Sequence, residues 1–531
     1  MSTTPSQIAS SNAGSEILLS AAQPDLFRKN SFRITGLPVE ATAGDIARQV
    51  EKVRLSEKYG GGNNRPTVLP LNPPPDAGQL REAIDRLRDP ERRLIDEFFW
   101  FWPHKLGDSR DDAALAALRR GGHAEAEAIW KRQEGSQSIS NVSMHNLAVL
   151  MHAMALDMHY QNGAAGSAAT AEQLKLWTAA YQRWKRLLDD EGFWSRLTAR
   201  IRDLDDPRLT TGTSRRMRAS LPLALLMINA QLAVKAAEAG KTDLAKQHLG
   251  IMKASGFPDD LVQEALRRAV DPIRQRIKLL CQAADKETDV HLERGDTVMT
   301  RLLAETKALL AVLDLVLPVG SPARDSSHDE VALVALRCQI GFGNKTKNWK
   351  KSVELLEQVL PIAVSKSARE RIEDNLRIVR ENNEYGTCFF CGQRPREEKS
   401  DVQQEMYGNV RRTPTWRGTE ITWNHRKVAV PRCAPCAKFH ARVSRWTGLA
   451  VALCILLGFV SCGIAVNSQP DGGGLGFLLL LGIGIGGSLI SRSLIWHQLG
   501  GNIKPYKDFK KYKAIQETLK SGWHFGSKPQ S

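Results

Sequence analysis

Four cysteines stand in two C-x-x-C pairs, Cys388 with Cys391 in "CFFCGQRP" and Cys433 with Cys436 in "VPRCAPCAKFH". Each pair sets two thiolates on a tight knuckle, half the shell of a tetrahedral metal, and two knuckles complete a four-sulfur zinc site. With sulfur at every position there is no open place for an activated water, so the expected Zn2+ is structural. The interval between the pairs exceeds the usual roughly 15–20 residues. Within it "TEITW" and "KVAVP" are short and β-prone, and they flank "NHR", which predicts a ribbon whose hairpin turn lies at 424–426. His440 is a further candidate ligand. A redox dithiol is the alternative reading, although no thioredoxin-like βαβ pattern surrounds either pair. Of the eight cysteines, two others fall inside apolar runs, which points to a reducing compartment and away from a disulfide scaffold.

The residues beyond the second pair limit where the ribbon can sit. Residues 447–466, "TGLAVALCILLGFVSCGIAV", carry no charge, and after "NSQPDGGG" a second apolar stretch runs from Gly473 to Trp496. A span needs about 20 apolar residues, so the two runs predict a two-helix transmembrane hairpin over 446–496, with Arg492 snorkelling and Gly482 and Gly486 allowing close helix approach. The alternative is a buried helical hairpin in a water-soluble domain. Lys438, Arg442 and Arg445 precede the first run, and Lys504, Lys507, Lys510, Lys511 and Lys513 come after the second. By the positive-inside rule both ends are cytoplasmic, as in a bacterial inner-membrane protein. "KPYKDFKKYK" interleaves those lysines with Tyr506, Phe509 and Tyr512, a pattern suited to a membrane surface and its lipids.

The chain has 531 residues, 42% of them apolar, and a formal charge of +16, half of it in residues 438–531. Such a balance brings nucleic acid and anionic membranes forward as partners. Arg411, Arg412, Arg417, Arg426 and Arg432, with Trp416 and Trp423, keep nucleic-acid binding by the ribbon as the competing reading. Residues 1–24 are polar and Ser/Ala-rich, with no basic residue before a weak apolar patch; they are expected to be a disordered tail and not a secretory signal.

From 110 to about 383 the pattern is helical, broken by Gly and short polar turns. Residues 111–133, 223–256 and 332–363 each read as helix, turn, helix, around Gly121-Gly122, Gly240-Lys241 and 343–347. This resembles the tetratricopeptide class of repeats, which stack because one helix pair cannot bury its own apolar face. The family's W-x-x-L-G-x-x-Y signature is absent, and a plain helical bundle is the alternative. Met144, Met151, Met154 and Met158 share one helix with His145, His152 and His159, whose i, i+7 spacing predicts core stacking on one face. No acid–base pair, nucleophile motif or phosphate loop occurs here, so no enzyme is expected.

Towards the N-terminus, "FRITGLPVEATAGDIARQ" and "LREAIDRLRDPERRLIDE" bracket a Pro-rich loop. Their order resembles the J domain of DnaJ-like co-chaperones, over about residues 30–97. That family carries His-Pro-Asp before its third helix; here Pro74-Pro75-Asp76 stands in its place. The resemblance therefore implies docking to a DnaK-type chaperone or its clients without stimulation of the chaperone's ATPase. Asp76 and the second helix, with Arg48, Lys52 and Arg54, are the partner-facing residues it implies. Phe98–Trp102, five aromatics in a row, are expected to pack this small domain against the first helical repeat; an exposed peptide-binding patch is the alternative.

The expected architecture is mainly α: a J-like helical domain at 25–105, a tetratricopeptide-like region at 106–385, a small β zinc ribbon at 386–440, two transmembrane helices within 446–496, and a basic cytoplasmic tail at 497–531. The expected function is a membrane-anchored, non-catalytic adaptor or co-chaperone-like scaffold that binds proteins through its helical surface.

Overall fold

The computed structural model describes residues 16–59, 68–109, 111–135, 140–165, 170–210, 212–416, 418–468 and 503–529. These residues are mainly helical, with one small three-stranded sheet towards the C-terminus. They divide into two compact units. The first comprises the described residues of Met1–Leu280 with Ala304–Ser327, the second those of Cys281–Leu303 with His328–Ser531. Segments 25–105 and 106–280 thus belong to the same unit, and the last helices before the cysteine pairs belong with the sheet.

In the first unit each early helix begins where a side chain satisfies its free N–H groups. Asn30 Oδ1 accepts from Phe32 and Arg33 at the start of Ser31–Thr35. Thr42 and Asp45 cap Ala43–Tyr59 reciprocally, with Asp in the role usually taken by Glu. Asp89 caps Pro90–Phe98, whose Pro at the first position loses no helical hydrogen bond. The aromatic run that ends this helix is buried throughout, none of its rings more than 4% exposed. Phe98 stacks on Trp184 and Trp194, Phe101 on Trp130, and Phe99 meets Phe27 edge-on. The run is therefore core, joining the N-terminal helices to the later helices of this unit.

Charge supports the same junction. Glu97, fully buried, meets Arg200 at 2.5 Å and Arg93 at 3.8 Å, and Asp96 beside it meets Arg86 at 2.6 Å. Arg33 on Ser31–Thr35 reaches Asp157 at 2.5 Å. Removing one partner of a buried pair leaves a charge without compensation, which costs about 3–5 kcal/mol. Arg200→Ala is expected to lower the stability of this unit by about that amount, read from denaturant midpoints, while the exposed pair Lys105–Asp108 gives about 0–1 kcal/mol under the same change.

The histidine stripe of Ser140–Ala165 is held three different ways. His145 Nε2 donates to the Phe98 carbonyl at 2.7 Å. His152 lies edge-on between Phe27 and Trp177, and His159 faces His248. Helix pairs flank turns at Gly121 (φ 79°) and Gly240 (φ 71°), conformations that a Cβ disfavours. Gly212–Glu238 is, among the described residues, long and apolar enough to cross a membrane, but 67% of its most apolar stretch is buried inside the protein.

In the second unit the turn expected at 343–347 is confined to the end of that range. Pro322–Thr346 continues through Gly341 and Gly343, and the chain reverses at Lys347 (φ 57°) before Trp349–Val359. The glycines serve close packing: a Cβ on Gly343 would lie 2.9 Å from Ser352 Oγ. Lys366–Gly386 then leads into the cysteine region. Strands β1 (Val402–Thr415) and β2 (Gly418–Val430) pair antiparallel from Val402↔Val430 to Thr415↔Gly418, and β3 (His524–Phe525) adds to β1 at Met406 and Tyr407. The hairpin turn is at 415–418, with Gly418 at φ 138°; Asn424, His425 and Arg426, expected to turn, lie within β2 opposite Gly408, Tyr407 and Met406. Strand propensity alone placed the reversal too late, because the Gly that permits it comes well before His425.

Candidate metal centre

The long helix Lys366–Gly386 delivers the first knuckle and β2 delivers the second. Thr387 bridges to Pro395, Cys388 N–H donates to the Arg394 carbonyl, and Gly392 N–H donates back to the Cys388 carbonyl, closing the first knuckle around Gly392 at φ 63°. After Val430, Phe389 N–H donates to the Pro431 carbonyl and joins the knuckles, and Ala437 N–H donates to the Cys433 carbonyl as the helix Ala434–Ser468 begins. The four sulfurs lie within 4.8 Å of one another, with Cys391 and Cys433 Sγ 4.0 Å apart. A tetrahedral zinc–sulfur shell with bonds of about 2.3 Å has edges of about 3.8 Å, so the set can hold a metal ion with little adjustment.

The surroundings act on the thiols in opposite directions. Burial pushes the Cys388 and Cys436 thiols up. It does the same at Cys391, but there the backbone N–H groups of Gln393 and Arg394 point at the sulfur and outweigh it, bringing the thiol to about 7. Cys388, Cys433 and Cys436 are buried and Cys391 is partly exposed. His440 stands outside the sulfur cluster. Its Nε2 faces the Lys504 carbonyl at 3.1 Å, so it donates there, and its ring packs edge-on to Phe390.

Asp401 is the residue that sequence reading missed. Its buried carboxylate accepts from the Arg432 N–H at 3.1 Å and pairs with Arg396 at 2.5 Å, locking the loop after the first knuckle to the base of the second. Glu397 adds a bond to Ala434 N–H at 2.9 Å. In "EEKSDV" this Asp reads as an ordinary turn residue, and no local signal separates it from its neighbours.

The tail closes the same core. Tyr512 and Ile515 are buried with Phe390, Met406, Val430 and three of the cysteines, and Phe509, Leu519, Trp523 and Phe525 pack around them. The aromatics of "KPYKDFKKYK" pack on the ribbon: Tyr506, itself half-exposed, stacks on Phe390, and Phe509 meets Phe525. The five lysines are exposed, though engaged to different degrees. Lys504 Nζ lies 4.2 Å from the Phe389 ring and Lys510 Nζ 5.5 Å from that of Phe525; Lys511 pairs with Asp508 and Lys513 with Glu384.

The arginines proposed for nucleic acid are divided. Arg432, partly buried, donates to the Ser400 carbonyl; Arg426 is exposed but is held on the ribbon, donating to Thr518 and lying over Trp523. Arg411 and Arg412 are exposed on the outer half of the hairpin with Trp416 and Trp423, and Arg417 lies outside the described residues. Near the N-terminus, Asp76 accepts from Gln79 N–H and caps Ala77–Arg88, while Arg48 pairs with Asp45 and Lys52 and Arg54 are exposed on Ala43–Tyr59. Asp76 thus has a folding role that needs no partner. Set against known protein families, curated proteins and solved structures, the chain has no match.

Proposed function

We propose that this protein is a membrane-anchored, non-catalytic adaptor, held by a two-span hairpin and recruiting proteins through its helical surface. The observation that carries the anchoring is the outer part of Ala434–Ser468. From Trp446 to Val460 its large apolar side chains are exposed, Leu449 at 63%, Leu453 at 58%, Leu456 at 60% and Phe459 at 63%. With Ile455 and Leu457, also exposed, these positions cover more than half of the circumference, and the positions between them are uncharged Thr, Ala, Val, Cys and Gly, the composition of a helix surrounded by lipid. The second apolar run, Gly473–Trp496, lies outside the described residues; what supports a hairpin is that the chain returns at Lys504 beside His440, near where the outgoing helix began. In this reading the metal is zinc in a structural role and both termini are cytoplasmic. The J-like resemblance adds a DnaK-type chaperone or its clients as partners, and the helix pairs of the first unit supply the docking surface.

Fractionation tests the anchor. The intact chain is expected in the membrane pellet after alkaline carbonate extraction, and a chain with Leu453→Asp and Leu456→Asp is expected in the wash. Recovery of the unmodified chain in the wash defeats the reading. Nucleic-acid binding by the ribbon keeps a narrower basis in Arg411, Arg412, Trp416 and Trp423. It predicts a steep fall in affinity with added salt, measured on the full chain because the tail completes the ribbon's core.

A further inference from the structure

The foot of the long helix has two faces of opposite kind. Cys436, His440 and Val443, at i, i+4 and i+7, are buried against the ribbon. Lys438, Arg442 and Arg445 repeat that spacing two residues later, about half a turn round the axis, and are exposed. On the ribbon side the returning tail fills the complementary place. The Lys504 carbonyl is bound by His440, the Lys504 N–H donates to the Phe390 carbonyl at 2.8 Å, and the Tyr506 ring lies 5.7 Å from His440. The Lys504 backbone is therefore held on the helix face opposite to Arg442 and Arg445, with its Nζ over the Phe389 ring, and Lys507 is exposed next to Tyr506, so cations flank the helix foot on both sides. Trp446, 56% exposed, marks where the apolar surface starts. His440 precedes it by about 9 Å along the axis at 1.5 Å per residue. The polar layer of a bilayer leaflet is about 5–8 Å deep, and lysine and arginine stems cover the remainder.

We propose that Lys438, Arg442, Arg445, Lys504 and Lys507 form a cationic collar that binds the headgroups of anionic phospholipids. The inference rests on the membrane reading above. It separates Lys504 and Lys507, beside the helix, from Lys511 and Lys513, which are committed to Asp508 and Glu384. It also makes lipid recognition depend on the metal centre, since the ribbon core is what places the tail at the helix foot.

The test is to place the full chain in nanodiscs of phosphatidylcholine with a minority of phosphatidylglycerol and to measure retained lipid by native mass spectrometry. Phosphatidylglycerol is expected to be enriched on the wild type. With each cation near an anionic surface worth roughly a fivefold effect, Lys504→Gln with Lys507→Gln is expected to reduce that enrichment at least tenfold, whereas Lys511→Gln with Lys513→Gln leaves it within twofold. Cys433→Ser with Cys436→Ser is expected to behave like the first pair while remaining inserted. Insertion without phosphatidylglycerol preference, or equal loss in both lysine pairs, overturns the collar alone. Failure to enter nanodiscs of any composition overturns the anchor and the collar with it. An oligonucleotide captured by wild-type chain in pure phosphatidylcholine discs, and lost with Lys504→Gln and Lys507→Gln, shows nucleic acid to be the occupant and also overturns the lipid proposal.

Discussion

The unmodified chain is expected to carry one metal ion by elemental analysis, and replacing Cys433 and Cys436 with Ser is expected to abolish that metal content and to unfold the ribbon together with the tail. Structural zinc contributes about 10–16 kcal/mol to small domains at neutral pH, more than a core this size holds in reserve. Two of the four ligands would be lost, and with them the order of the Asp401 clamp, whose Arg432 partner sits next to Cys433. Trypsin should then cleave the Lys-rich tail at rates typical of an unfolded chain, while the first unit keeps its helical circular dichroism. Acid should act in the same direction. A metal ligand must be a thiolate, and Cys388 and Cys436 hold their protons more firmly than free cysteine, so protons compete with the metal as pH falls. Apparent affinity is expected to fall steeply below about pH 7, where Cys391 also takes up its proton. A double variant with full metal content and an intact tail would remove the basis of the centre.

The four cysteines were legible because a knuckle is local chemistry: two residue types at fixed spacing announce it wherever the chain later goes. The aromatic run at 98–102 was legible for a similar reason, since five adjacent large rings have few places to be except a core. Other features depend on partners far away in sequence. Asp96 and Glu97 carry no local sign of burial, and only Arg86 and the distant Arg200 explain it. Tyr512 reads as a membrane-surface residue because it stands among lysines, whereas it is buried in one core with Phe390 and Val430. The hairpin turn was placed at 424–426 because β propensity marks strands better than it marks reversals; Gly418 carried the needed freedom of φ.

Between pH 6 and pH 4 the first unit is expected to lose stability through its buried histidines. Burial holds His145 to about 4 and His152 and His248 to about 3, against 6.5 for a free imidazole. All three are almost completely buried. Proton counting gives the sign. Below pH 6.5 the unfolded chain binds protons that the folded one refuses, so each group removes up to about 1.4 kcal/mol per pH unit as pH falls. Three together reach about 4 kcal/mol per unit, a large share of the 5–15 kcal/mol typical of a domain. The raised carboxyls of Asp96 and Glu97 oppose this, because a group that binds protons more tightly when folded favours the native state in acid. The difference between variants isolates the histidine contribution. His152→Phe, which keeps an aromatic ring between Phe27 and Trp177, should flatten the slope of unfolding free energy against pH by about 1.4 kcal/mol per unit. An unchanged slope would mean that the ring is not held neutral.

The ribbon's core is assembled from segments on both sides of the apolar stretch, and this sets an order for biosynthesis. A ribosome delivers both cysteine knuckles well before it delivers Tyr512, Ile515 and β3, so the nascent ribbon waits with its apolar groove uncovered until the segment after the apolar stretch has been made. A premature stop anywhere between Cys436 and Tyr512 should therefore leave all four ligands present yet give a protein that quality-control proteases recognise.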